Sequence, residues 1–217
     1  MVLTSAWWRF LENHVYDRPE PPARTRTKPL KVICVGPPRT ATESLKEGLT
    51  KLGFEAYHGW DILFEQPNRA QGWTRLARRK WLNEAPGLPI TAAEFDELMG
   101  HADAVVDAPG SCFAAEMIAA YPDAKVILGT RSRNDLDSWM RSLEESLVAI
   151  NLNWTVYILS WFHADLFWAW NVYERYLWTG MFRCLDSREG FAAATRARGK
   201  WVYEGKTVSS PETRASH

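Results

Sequence analysis

This sequence has no excess of either charge: 26 Lys and Arg stand against 26 Asp and Glu. That balance excludes the global positive field by which proteins gather nucleic acid or anionic membrane, so anion binding must be local and no nucleic-acid partner is expected. Cysteine is scarce as well. Cys34, Cys112 and Cys184 are odd in number and far apart, with no CxxC or Cys/His spacing. This excludes a disulfide framework and a zinc cluster, and reads as reduced core thiols in a cytoplasmic protein with no metal. The beginning of the chain has no basic stretch followed by an apolar run and a small-residue cleavage site, so no signal peptide is expected. Long apolar runs are also missing. The most apolar region, 152–182, is interrupted in or beside it by Asn151, Asn153, His163, Asp165, Asn171, Glu174 and Arg175. No window reaches the roughly 18 apolar residues that a membrane span needs, and an integral membrane protein is not expected. There is no internal repeat.

What the sequence has in plenty is tryptophan, 12 in 217 residues. Such a content reads either as a heavily aromatic core or as a Trp-lined ligand pocket, for which Trp60, Trp139 and Trp161 are the candidates. From Leu152 to Phe182 the aromatic residues fall at helical spacing, Trp154, Trp161 and Trp168 stepping by seven, and the opposite faces are apolar too. A helix apolar all round is buried or pairs with a partner, so a homodimer through 152–182 is one expectation.

One stretch organises the rest: Lys31-Val-Ile-Cys-Val-Gly-Pro-Pro-Arg-Thr-Ala-Thr-Glu-Ser-Leu45. Val32 to Val35 read as a short buried strand ended by Gly36, Pro37 and Pro38. Arg39 and the hydroxyls of Thr40, Thr42 and Ser44 follow, and apolar residues at 45, 49 and 52 open a helix. Strand, tight loop, cation and helix N-terminus are the recipe for an anion site, because first-turn N–H groups have no intrahelical partner and the dipole favours negative charge there. The loop fails the Walker A pattern, since no Gly-Lys-Ser/Thr ends it, and it fails GxGxxG because of Pro37 and Pro38. An ATPase or a dehydrogenase is therefore excluded.

In chain order, residues 4–14 read as an amphipathic helix and 15–29 as an irregular arm. Phe54–His58, Ala104–Ala108 and Lys125–Thr130 read as further strands. Helical segments lie over 61–84, where Arg75, Arg78, Arg79 and Lys80 read as a solvated face, over 91–99 behind a Thr91/Glu94 capping box, over 109–120, and after Asn134 or Asp135. Strands alternating with helices predict an α/β fold, a three-layer sandwich around a short, mostly parallel sheet. The chain is expected to form one domain: an N-terminal helix and arm (1–29), an α/β core (30–148), an aromatic helical region (149–185) and a polar tail (186–217). Ligands sit at the carboxyl ends of such strands, which collects Arg39 to Ser44, His58, Asp107 and Arg131 on one edge.

The order of these residues resembles the sulfotransferase fold, and in particular fungal and bacterial sulfotransferase-family proteins with a Gly-x-x-Arg-Thr-Gly-Thr-x-Ser-Leu loop. Here that loop reads Gly36-Pro-Pro-Arg-Thr-Ala-Thr-Glu-Ser-Leu45. The likeness continues through Leu52-Gly-Phe54, Tyr57-His58, Ala104-Val-Val-Asp-Ala-Pro109, Tyr121 to Leu128, Arg131 and Ser138-Trp-Met-Arg-Ser142, so it covers about residues 30–145. It implies a P-loop-NTPase-like topology and a 3′-phosphoadenosine 5′-phosphosulfate (PAPS) donor. Its phosphosulfate end would lie on Pro38, Arg39, Thr40, Ala41, Thr42, Glu43 and Ser44. Arg131 and Ser138 would hold the 3′-phosphate, with Ser142 or Ser132 as alternatives to Ser138.

Sulfuryl transfer is an in-line displacement in which charge builds on the departing phosphate oxygen. Arg39 and backbone N–H groups would stabilise it without a metal. His58 is the first candidate for the base that takes the acceptor's proton, and Asp107 the second. The acceptor would be a small apolar hydroxyl compound. Four departures stand against this reading: Ala41 in place of the loop glycine, Glu43 beside the phosphate position, Ser132-Arg-Asn-Asp135 without the usual Asp-Pro turn, and no final strand and helix of the kind the family appends. They leave open a second reading, a sulfotransferase-fold protein with a vestigial PAPS site that acts as a cyclase, pericyclase, isomerase or binder of an apolar secondary metabolite.

Overall fold

Val32–Val35 (β1) is buried at all four positions, as a β-branched run in the middle of a parallel sheet must be. The computed structural model describes residues 2–131, 135–184 and 190–208. In it β1 joins β2 (Ala56–Tyr57), β3 (Ala104–Val105) and β4 (Lys125–Leu128) in one sheet, parallel throughout, in spatial order β2-β3-β1-β4. Register sets Ile33 opposite Val105 and Val126, with Val105 opposite Tyr57. The expected second, third and fourth strands are thus present but shorter. β4 is an edge strand, and its Lys125 and Ile127 are exposed while Val126 and Leu128 turn inward.

The period of two along β1 divides the core into two layers. Val32 and Cys34, with Ala104 and Val106, pack on Leu45 and Leu49 of α2 (Thr42–Lys51) and on Phe54. Ile33, Val35, Val105 and Tyr57 face a much larger core on the other side. That core draws on α1 (Val2–Phe10) and a π-helical turn after it (Leu11–Val15), α3 (Gly59–Phe64), α4 (Ala70–Trp81), α5 (Ala92–Met99), α6 (Ala108–Cys112) and α7 (Ala114–Ala120). It also takes in α8 (Leu136–Leu143), which runs on through a π-helical turn, Glu144–Val148, into α9 (Ala149–Asn151). The three expected layers are therefore present. Burial of Cys34 pushes its thiol up to about 12, as suits a core residue.

Most tryptophans belong to this core. Trp73 and Trp139 are fully buried, and Trp168 and Trp178 nearly so. The expected single helical stretch 152–182 is broken into α10 (Trp154–Ser160), α11 (Ala164–Asn171), a π-helical segment Val172–Leu177, and α12 (Trp178–Met181). Among the described residues no helix is long and apolar enough to cross a membrane.

Two expectations need correction. The basic run on α4 is not a solvated face. Arg78 binds the buried Glu12 at 2.7 Å, Lys80 binds Glu116 at 2.7 Å, Arg75 binds Glu20 at 2.5 Å, and Arg79 binds Glu94. Each cation ties α4 to a different neighbour, and the period of a helix could not reveal which partners surround it. The region after 186 is also more than a polar tail. Gly190–Val208 forms α13, which buries Phe191, Ala194, Val202 and Tyr203. Trp201 to Tyr203 lie within this helix. Ser132, Asn134 and the last residues, 209–217, lie outside the described residues.

Candidate functional site

The site starts from the sheet. Right-handed crossovers carry the chain leaving β1 to one face and the chain leaving β3 to the other. The exits diverge between the carboxyl ends of β1 and β3, and a crevice opens there. Three non-glycine residues with positive φ converge on it: Arg39 (68°) and Ala41 (62°) after β1, and Asp107 (64°) after β3. Such conformations cost free energy and persist where the surroundings hold them.

Gly36 leaves β1 with no room for a side chain, because a Cβ would overlap the Gly129 carbonyl at the exit of β4. Ser111 Oγ donates to Gly36 O from the start of the chain beyond β3, which pins the loop's first residue. Thr40 is buried and its hydroxyl donates to Pro37 O at 2.9 Å, so it closes the turn rather than facing a ligand. Ala41 then precedes α2 without a side-chain cap, and Leu45 N–H is the first to find a partner in the helix, Ala41 O at 3.0 Å. The N–H groups of Thr42, Glu43 and Ser44 remain without an intrahelical partner, the arrangement that suits an anion. Ala41 thus takes the left-handed conformation for which the family loop has Gly, at a cost on the order of 1 kcal/mol. Glu43 is exposed in the first turn, where its charge suits the dipole.

Helix α8 is the frame of the site. Trp139 Nε1 donates to Pro38 O at 2.8 Å from a fully buried ring. One residue before it, Ser138 Oγ accepts from Arg131 Nη1 at 3.3 Å; three residues after it, Ser142 Oγ accepts from Arg39 Nε at 3.1 Å. Positions 138 and 142 are one helical turn apart on one face. Two arginines from different strand exits are therefore held side by side, with Arg39 exposed and Arg131 half-buried. Tyr203 from α13 completes the frame. Its hydroxyl accepts from Arg131 N at 2.7 Å and donates to Arg131 O at 2.9 Å, and its ring meets Trp139 edge-on at 4.9 Å.

Across the crevice, Asp107 accepts from Thr42 Oγ1 at 3.3 Å, and its other oxygen lies 3.8 Å from His58 Nδ1. A Cβ at Gly59 would overlap this carboxylate and the Tyr173 hydroxyl, which donates to Gly59 O at 2.7 Å. His58 is buried at the N-cap of α3. Its Nδ1 accepts from Trp60 N at 3.1 Å, and Asp61 returns a bond to His58 N at 2.6 Å while pairing with Lys46 at 2.9 Å. Burial holds the His58 pKa below the ordinary histidine value, against the pull of Asp107. A neutral ring whose Nδ1 accepts carries its proton on Nε2, and that nitrogen is buried without a hydrogen-bond partner.

The three candidate pocket tryptophans are dispersed. Trp139 lies under the loop, Trp60 is exposed and stacks on Phe64 at 5.7 Å, and Trp161 packs on Trp8 at 5.5 Å. A cleft of about 10 Å³ lies under the loop, bounded by Gly36, Thr40, Thr42, Ser111 and Gly129 among others, with room for about one water. A cavity of about 60 Å³ lies apart from it, among Glu20, Arg69, Arg75 and Glu97. Neither is lined by tryptophan, because different packing tasks have claimed these rings. No group of three or more His, Cys, Asp or Glu side chains placed to hold a metal occurs among the described residues.

The loop, the paired arginines and the strand-exit aspartate all lie within a stretch that matches a family model. The description "Sulfotransferase domain" matches residues 31–208. The chain belongs to the sulfotransferase family. Among curated relatives of this sulfotransferase-family protein, Ava biosynthesis cluster protein M of Aspergillus versicolor is 36% identical over 143 residues, 64% of this chain and 52% of the relative. The chain thus spans about half the length of that relative.

Sequence reading placed Arg39 to Ser44, His58, Asp107 and Arg131 on one edge; in the structure Thr42 meets Asp107, Asp107 lies beside His58, and Arg131 meets Ser138. It had no means of finding Tyr173, which reaches Gly59 from 114 residues away. Asp61 was legible in principle, since it follows His58 at capping-box spacing.

Proposed function

We propose that this protein transfers a sulfuryl group from PAPS to a hydroxyl of a small apolar metabolite. The observation that carries this reading is the pairing of Arg39 and Arg131 on Ser142 and Ser138, beside a helix N-terminus with no side-chain cap. That donor set suits a ligand with anionic groups at two points. PAPS supplies an activated sulfuryl group and an anionic leaving group. The first-turn N–H groups of α2 and the Arg39 guanidinium would meet the charge that develops on the leaving phosphate. Arg131 and Ser138 would hold the 3′-phosphate.

The proton of the acceptor goes to Asp107 in this reading, because His58 spends its lone pair on Trp60 N. Thr42 and the buried wall of Gly59 and Tyr173 orient the carboxylate. The exposed, stacked rings of Trp60 and Phe64, next to His58 in the chain, offer an apolar platform for the acceptor. The name of the relative, a biosynthesis cluster protein, supports a place in secondary metabolism.

The narrow cleft favours a second reading, in which the PAPS site is vestigial and the protein binds or isomerises an apolar metabolite. Thermal shift separates the two. Adenosine 3′,5′-bisphosphate raises the melting temperature if the first reading holds, and Arg39→Ala and Arg131→Ala each abolish the rise. No shift at millimolar nucleotide overturns it.

A further inference from the structure

We propose that the region 150–166, centred on α10, is where two copies of this chain pair. A helix that is apolar on every face belongs in a core or against a partner, and α10 is not in the core. Every residue from Leu152 to Leu159 is exposed, and Ser160 is the first to be buried. Trp154 is 71% and Phe162 82% exposed, and Ile150, Leu152, Val156, Tyr157, Ile158, Leu159 and Leu166 also stand in solvent. The helix rests on its own chain mainly through Tyr157, whose ring meets Trp161 at 5.9 Å and Trp170 at 6.4 Å. It is short, and Asn153 caps it by accepting from Thr155 N and Val156 N, so a cap and the packing of one edge on α11 hold a largely solvated apolar segment.

Area and charge identify the occupant. Nine large apolar side chains about half exposed present on the order of 900 Å² per copy, against about 800 Å² per partner in a standard stable interface. Their composition, rich in Trp, Tyr and Phe and without lysine or arginine from 149 to 166, is that of an interface centre. The stretch itself thus offers no cation to anionic lipid headgroups. Asp165, the one carboxylate in the stretch, is already bound by Arg18. Two such faces meet about a twofold axis without like-charge repulsion.

Light scattering on the whole protein at micromolar concentration tests this. The expected mass is twice 24.9 kDa. The double variant Trp154→Glu, Phe162→Glu should fall to the single-chain mass with unchanged circular dichroism and melting. As a second test, Phe162→Cys should form an intermolecular disulfide under mild oxidation, the native cysteines being buried. A monomeric wild-type protein overturns the proposal. So does a double variant that stays dimeric, or wild-type protein that sediments with neutral or anionic vesicles as single chains.

Discussion

Asp107 and His58 differ in what their environments leave them free to do. Asp107 sits at φ 64° with one oxygen on the Thr42 hydroxyl and a side chain 16% exposed, open enough to reach an acceptor. His58 is sealed in and capping α3. Asp107→Asn should therefore lower kcat for sulfuryl transfer to a phenolic acceptor by about 100-fold or more, with the nucleotide-induced rise in melting temperature retained. His58→Asn keeps a cap acceptor and should keep transfer. It should also change the acid limb of stability. The native imidazole resists protonation while the unfolded one does not, so the unfolded state binds more protons once pH falls below the ordinary value of 6.5, and stability drops. In His58→Asn the melting temperature should fall less between pH 7 and 5 than in wild type. The sequence placed both residues at strand ends, but only the folded chain decides which one keeps its lone pair.

At the scale of elements, α8 holds the arginine side of the site by three side chains within five positions: Ser138 to Arg131, Trp139 to Pro38 O, and Ser142 to Arg39. Trp139→Phe keeps an aromatic ring against Tyr203 but leaves the buried Pro38 carbonyl unpaired. It should cost about 1–3 kcal/mol in urea unfolding and reduce the nucleotide-induced rise in melting temperature. Sequence pattern made α8 legible as an amphipathic helix with Leu136, Trp139, Met140 and Leu143 on one stripe. It left Trp139 as a pocket candidate, because the pattern records that a ring turns inward and not what the ring's N–H meets there. The same limit made α13 read as a polar tail. Its apolar residues are spread thinly among alanines and charges, and become a buried face only against α8, the turn after it and Phe182.

Across the whole molecule, a buried carboxylate ties segments that are distant in sequence. Glu12 accepts from Arg78 Nη1 at 2.7 Å, Asn171 Nδ2 at 2.6 Å and Tyr176 OH at 2.8 Å, which joins the N-terminal turn to α4 and to the aromatic region. Arg78→Met strands that charge in the interior and should cost about 3–5 kcal/mol in urea unfolding. Arg75→Met, which breaks an exposed pair with Glu20, should cost under about 1 kcal/mol. The contrast measures how far a basic run that reads as surface has become internal structure.

By itself the sequence determined the strand–loop–helix at 31–45, the parallel α/β layering and the family. Each depends on local chemistry: a β-branched run, a glycine and two prolines to end it, and apolar spacing at the helical period. Tertiary structure alone decided that Arg39 and Arg131 share a face of α8, that His58 is a cap, and that most of the tryptophans pack into a core. These depend on which donor meets which acceptor across a hundred residues, and such pairings leave no periodic trace in the chain. The course of the loop was local, and so it could be read; the frame that orients it was not.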